Sequence, residues 1–266
     1  MNDKASEYAP KGSPKAKLMT WATFCHAAPF VMWIGIMALA DMMSFLPGKV
    51  DEDGEVSAGV ISAAGMYAVR TLLCVAAMFI LRPWRWYPKL KKQNIVPALV
   101  LGLVVFLFWV GFETQFFKSL APGLADLYER YCVDWKHLGE LRKTAEEFPY
   151  APSVSGWSLA IVRLIGSAFV IAVIEEFFWR GYLLRTIKTP DFLDLDIGYY
   201  NPKIFLIVAL VFGLQHTEFA VGILTGLAYG YFYLIKRDIW AVAIAHVTTN
   251  LVLGIYVLLT GYWWFW

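Results

Sequence analysis

The stretch SAFVIAVIEEFFWRGYLL, residues 167–184, decides how the rest of the chain is read. It is apolar over most of its length, yet it carries two adjacent acids, Glu175 and Glu176, followed by Arg180. A carboxylate near the centre of a bilayer costs several kcal/mol unless it is paired, protonated or turned towards a wet cavity. Two of the four histidines, His216 and His246, fall in later apolar segments, and Asn250 follows His246 by one helical turn. Acids, imidazoles and an amide inside membrane helices point to a catalytic or ion-handling centre within a bundle.

The composition around this stretch agrees. Of 266 residues, 59% are hydrophobic and 17% charged, against about 45–50% and roughly 25% in soluble domains. The expected fold is all-α, a polytopic bundle of seven or eight transmembrane helices. A net charge of +2 with basic residues at helix ends gives no nucleic-acid face. Cys25, Cys74 and Cys132 are too few and too scattered for a disulfide framework or a cysteine-based zinc site.

A span needs about 20 mostly apolar residues. Seven candidates emerge, at Trp21–Leu46, Ala58–Leu81, Ile95–Phe117, Trp157–Leu184, Ile204–His216, Phe219–Ile235 and Ile239–Thr260. Residues 1–20 read as a polar cytoplasmic tail, and 21–266 as one transmembrane domain with its motif-bearing core at about 157–260. The first apolar segment exceeds the core of a cleaved signal peptide and reads as a retained helix. The connection 118–155 contains the polar, helical-looking run DLYERYCVDWKHLGELRKTAEEF. Clusters at Lys4–Lys17, Arg82–Lys92, Arg180–Lys203 and Lys236-Arg237 share one side if the N-terminus is cytoplasmic, as the positive-inside rule requires. The acidic loop 51–55 then lies outside. No internal repeat or low-complexity tract divides the chain.

At about 100° per residue, Glu176 and Arg180 share a helix face and pair acid-before-base. Glu175 is turned away from that arginine and stays available as a general base. His246 and Asn250 are likewise four apart, on one face of the last span. At ~1.5 Å per residue, Glu175 lies roughly 14 Å from the cytoplasmic end of its helix, His246 about 10 Å and His216 about 18–20 Å. The three can therefore meet in one layer. Singly, each histidine is commonly a satisfied polar group, and intramembrane His and Asn side chains often bond across helices for stability. Their coincidence points to chemistry.

Three ordered motifs are present: Glu-Glu-x-x-x-Arg at Glu175, Glu176 and Arg180, Phe-x-x-x-His at Phe212 and His216, and His-x-x-x-Asn at His246 and Asn250. This set resembles the CAAX protease and bacteriocin-processing family of intramembrane endopeptidases, which includes the Ras-converting enzymes. His26 to Phe30, Arg70 and Trp109 to Glu113 resemble the bacterial subgroup associated with exosortases. The resemblance implies that Glu175 activates a water, that His216 orients it, and that His246 and Asn250 form an oxyanion site. Glu176, Arg180 and Phe212 would support the site. It also implies a peptide or lipidated-protein substrate cut near its C-terminus, contact with membrane lipids, and a prokaryotic cytoplasmic membrane.

Glu175, His216 and His246 would also make a His2Glu zinc set. No His-Glu-x-x-His helix is present, and a cofactor-free glutamate mechanism is favoured. A catalytically silent scaffold or immunity-type partner is an alternative. A proton-coupled transporter is another, although the paired halves usual in transporters are missing. Arg70 and Arg163, with Asp41 and Glu113, read as cross-helix ion pairs or snorkelling residues. Gly222 and Gly226, four apart, suit close helix packing.

Overall fold

The computed structural model describes residues 14–44, 63–141 and 148–266. Lys4, Lys11, the 51–55 loop and the side chain of Asp41 lie outside the described residues. Among those described there is no strand. The main helices are α1 (Pro14–Ser44), α2 (Ala63–Leu81), α3 (Ile95–Gly111), α4 (Pro152–Thr186), α5 (Pro202–Leu214), α6 (Phe219–Lys236) and α7 (Ile239–Thr260). Six of them are long and apolar enough to cross a membrane, and α5, where the fifth span is expected, is a shorter apolar helix. The chain is an integral membrane protein.

Local chemistry sets the boundaries. Asn201 caps α5 by accepting from the amides of Lys203 and Ile204, with Pro202 in the first turn. Asp238 caps α7 through Oδ1, while its Oδ2 accepts from the Lys91 amide and the Asn94 side chain. One carboxylate thus ties the start of α7 to the start of α3. Gly261, at φ 73°, closes α7 in the left-handed conformation that glycine adopts freely.

Two boundaries differ from expectation by six residues or more. α1 begins at Pro14 and not at Trp21. Its first turn is polar but anchored, because Lys15 pairs with Asp191 and Asp194 in the α4–α5 connection. α3 stops at Gly111, short of Phe117, and Thr114 caps a separate helix, Gln115–Leu120. The connection that follows holds another short helix, Pro122–Tyr128, continued by a wide turn to Val133.

α7 is the central element. It packs on α3 along one side and on α4 along another, while α5 and α6 form an antiparallel pair and α1 packs on α2 and on the end of α4. Close approach depends on glycine. A methyl at Gly102 would sit 2.5 Å from the carbonyl oxygen of Ala245 in α7, and one at Gly226 would sit 2.9 Å from that of Ala209 in α5. Leu72, Ile80, Val96 and Leu259 point outwards, as lipid-facing side chains do when hydrocarbon is the solvent.

α4 is not a uniform α-helix. Gly156, at φ 79°, separates its first turn from the rest, and wide π-type turns occupy Gly166–Ile171 and Phe177–Leu183. In a regular helix, residues spaced by four drift about 40° around the axis at each step. The wider turn at Gly166–Ile171 offsets that drift. Arg163, Ser167, Ile171 and Glu175 consequently face one cavity, in keeping with the frequent occurrence of π turns at functional sites.

Candidate active site

Glu175, Glu176 and Arg180 lie on the buried side of α4. Arg180 is 2% exposed and Glu176 is fully buried. The Arg180 Nη1 donates to Glu176 Oε1 at 2.9 Å and Nη2 to the Gly226 carbonyl at 3.3 Å. Its guanidinium lies 4.4 Å from the centre of the Phe212 ring. Phe212 therefore roofs the ion pair, and the Gly226 carbonyl gives the arginine a second acceptor.

His246, on α7, sits between the two acids. Its Nδ1 donates to Glu176 Oε1 at 2.8 Å, and its Nε2 is 3.8 Å from Glu175 Oε2. The ring packs 5.1 Å from Tyr229 and 6.0 Å from Phe212, centre to centre. Tyr229 shares a 2.6 Å hydrogen bond with Thr249, whose hydroxyl also approaches the Gly102 carbonyl at 2.7 Å. The glycine contact between α3 and α7 thereby fixes the wall beside the imidazole.

His216 lies just beyond α5, in the turn leading to α6, and not within a helix. Its Nδ1 bonds the Phe212 carbonyl at 2.8 Å, and a carbonyl partner requires that nitrogen to be the donor. A neutral ring so bonded presents Nε2 as an acceptor. Trp109 packs against it edge-on, and the Trp109 indole donates to Thr225 at 3.0 Å.

Asn250 lies one turn beyond His246, but its amide donates to the Ser167 carbonyl of α4 at 2.9 Å. The two side chains are bonded to different partners and still face the same space. Glu175, His216, His246 and Asn250 all line one cavity of about 190 Å³. Glu176 and Arg180 stand behind its wall, and Phe212 forms part of it.

Sequence reasoning missed Gln215, whose Nε2 donates to Glu175 Oε1 at 3.1 Å. Its position beside His216, at the end of an apolar run, was the available signal. It also missed Ser167, Tyr229 and Thr249, ordinary residues in helix interiors whose role arises from cross-helix contact. As for a metal, among the described residues no group of three His, Cys, Asp or Glu side chains is arranged to hold an ion. Glu175, His216 and His246 are not grouped as a three-ligand set in this arrangement.

No curated protein and no solved structure matches the chain. From the first regular turn of α4 to the middle of α7, residues 157–252 match the family model described as type II CAAX prenyl endopeptidase Rce1-like.

Proposed function

We propose that the protein is an intramembrane endopeptidase that hydrolyses a peptide bond near the C-terminus of a membrane-presented substrate. The observation that carries this reading is the shared cavity: an acid, two imidazoles and an amide from α4, the α5–α6 turn and α7 face one space inside a membrane bundle. The match to a family of prenyl endopeptidases over the same residues supports it.

The chemistry runs without a covalent intermediate. Glu175, steadied by Gln215, takes a proton from a water while the water oxygen bonds the scissile carbonyl carbon. His216 Nε2 accepts the second hydrogen of that water and fixes its orientation. The carbonyl oxygen becomes an alkoxide, and two donors meet it: Nε2–H of His246, acting as an imidazolium with its charge matched by Glu176, and the second N–H of Asn250. Collapse re-forms the carbonyl, breaks the C–N bond and returns the proton from Glu175 to the leaving amine. Glu176 and Arg180 act as positioning residues for His246. No metal takes part. We place the N-terminus on the cytoplasmic side, following the basic clusters at the ends of the spans.

The test uses purified full-length protein in vesicles and quenched peptides bearing an S-prenylated cysteine near a free C-terminus. Wild type should cut them, with product masses locating the bond and activity persisting in a strong chelator. Absence of cleavage across the panel overturns the reading, and loss of activity to chelator with recovery on adding zinc overturns its metal-free form.

A further inference from the structure

Arg70 of α2 and Arg163 of α4 both lie against the Tyr67 ring. The Arg70 guanidinium is 4.2 Å from the centre of Trp33 and 4.8 Å from that of Tyr67. That of Arg163 is 4.4 Å from Tyr67 and 4.3 Å from Tyr150. Arg70 is only 6% exposed. Among the described residues neither has an acidic partner, and the Nε of each is buried without an acceptor. Of the two readings expected from the sequence, ion pairs or snorkelling, the described residues show no ion pair and instead show stacking on aromatic rings; the Asp41 side chain lies outside them.

Stacking satisfies the face of a guanidinium and leaves its edge donors unused. Two such groups in a low-dielectric bundle, with no counter-charge beside them among the described residues, favour a bound anion, since an unpaired buried charge is costly. Arg163 opens onto the cavity that holds Glu175, His216, His246 and Asn250. Trp266 lines the same end, and its indole N–H is also buried without an acceptor. This end of the cavity is thus rich in donors and positive, while the other end carries the Glu175 carboxylate.

We propose that Arg163, backed by Arg70, forms a subsite for a carboxylate, the free C-terminal carboxylate of the peptide substrate. The assignment rests on the peptidase reading of the cavity. The reach is suitable. Twelve residues of helix separate the Cα atoms of Arg163 and Glu175 by about 18 Å, and an extended peptide covers roughly 3.3–3.6 Å per residue. Allowing for both side chains, about three to five residues fit between the reacting carbonyl and the arginine. A planar guanidinium fork matches a carboxylate in a way that a C-terminal amide cannot.

Equilibrium binding to the full-length protein in neutral micelles tests this, using dansyl-trileucine as its free acid and as its C-terminal amide. Wild type should bind the acid at least tenfold more tightly. R163Q should bring the two within twofold, and R163K, which keeps the charge but not the fork, should restore part of the preference. Equal affinities in wild type, a comparison that needs no variant to fold, overturn the proposal. Binding of phosphatidylglycerol that R163Q abolishes, with no preference for the acid peptide, assigns a lipid headgroup instead and also overturns it. An intact acid preference in a protein that cuts no peptide leaves the subsite standing and removes the peptidase reading.

Discussion

Two groups of charges sit along α4, and they are stabilised in opposite ways. At Glu175–Arg180, acids and bases alternate: Arg180 meets Glu176 at 2.9 Å, Glu176 meets His246 at 2.8 Å, and Gln215 holds Glu175. At Arg163, two cations lie on aromatic rings and meet no acid among the described residues. The first group is internally compensated and acts as a unit; the second is a cation platform lacking its complement. A membrane bundle tolerates the first as structure, whereas the second is easier to understand as half of a binding site.

The comparison is broken most easily at Arg180. R180M leaves Glu176 buried beside His246 without its main partner and should destabilise the protein by about 3–5 kcal/mol, read from unfolding in mixed micelles. The double variant E176M/R180M removes both charges and should recover most of that loss. It leaves His246 Nδ1 without an acceptor, a residual of about 1–3 kcal/mol. Failure of the second change to rescue the first would show that the pair does not act as a unit.

T249V probes the wall beside His246. It deletes the hydroxyl shared with Tyr229 and the Gly102 carbonyl, at about 0.5–1.5 kcal/mol per hydrogen bond. R70M should have the smallest effect on stability, within about 1 kcal/mol of wild type, because it removes a cation that has no ion pair to lose while keeping apolar contact with Trp33. An R70M penalty as large as that of R180M would mean that Arg70 is paired like Arg180, and the contrast between the two ends would collapse.

Much of the first group was legible in the sequence, and almost none of the second. The acid–base spacing of Glu176 and Arg180 is a local helical rule, and intramembrane charge is conspicuous against an apolar run. The long helices are legible for the same reason, since hydropathy and length suffice. Arg70 and Arg163 were visible as charges, and Tyr67 stands three residues before Arg70 on α2, but Trp33 lies on α1 and Tyr150 in the turn before α4, and no spacing rule connects those two to the arginines. The wide turns of α4 were hidden as well, because no residue pattern in the stretch marks them. Gln215 was missed because His216 drew attention to its own imidazole; the turn that ends α5 at Leu214 is what swings the glutamine towards Glu175.

The account stands most directly on the carboxylate of Glu175. Substituting E175Q keeps the size of the side chain and its place beside Gln215 while removing the base. With a prenylated peptide under single-turnover conditions, E175Q should lose cleavage by a factor of about 10²–10⁴ with its unfolding temperature little changed. Cleavage by folded E175Q within a few-fold of wild type would contradict it.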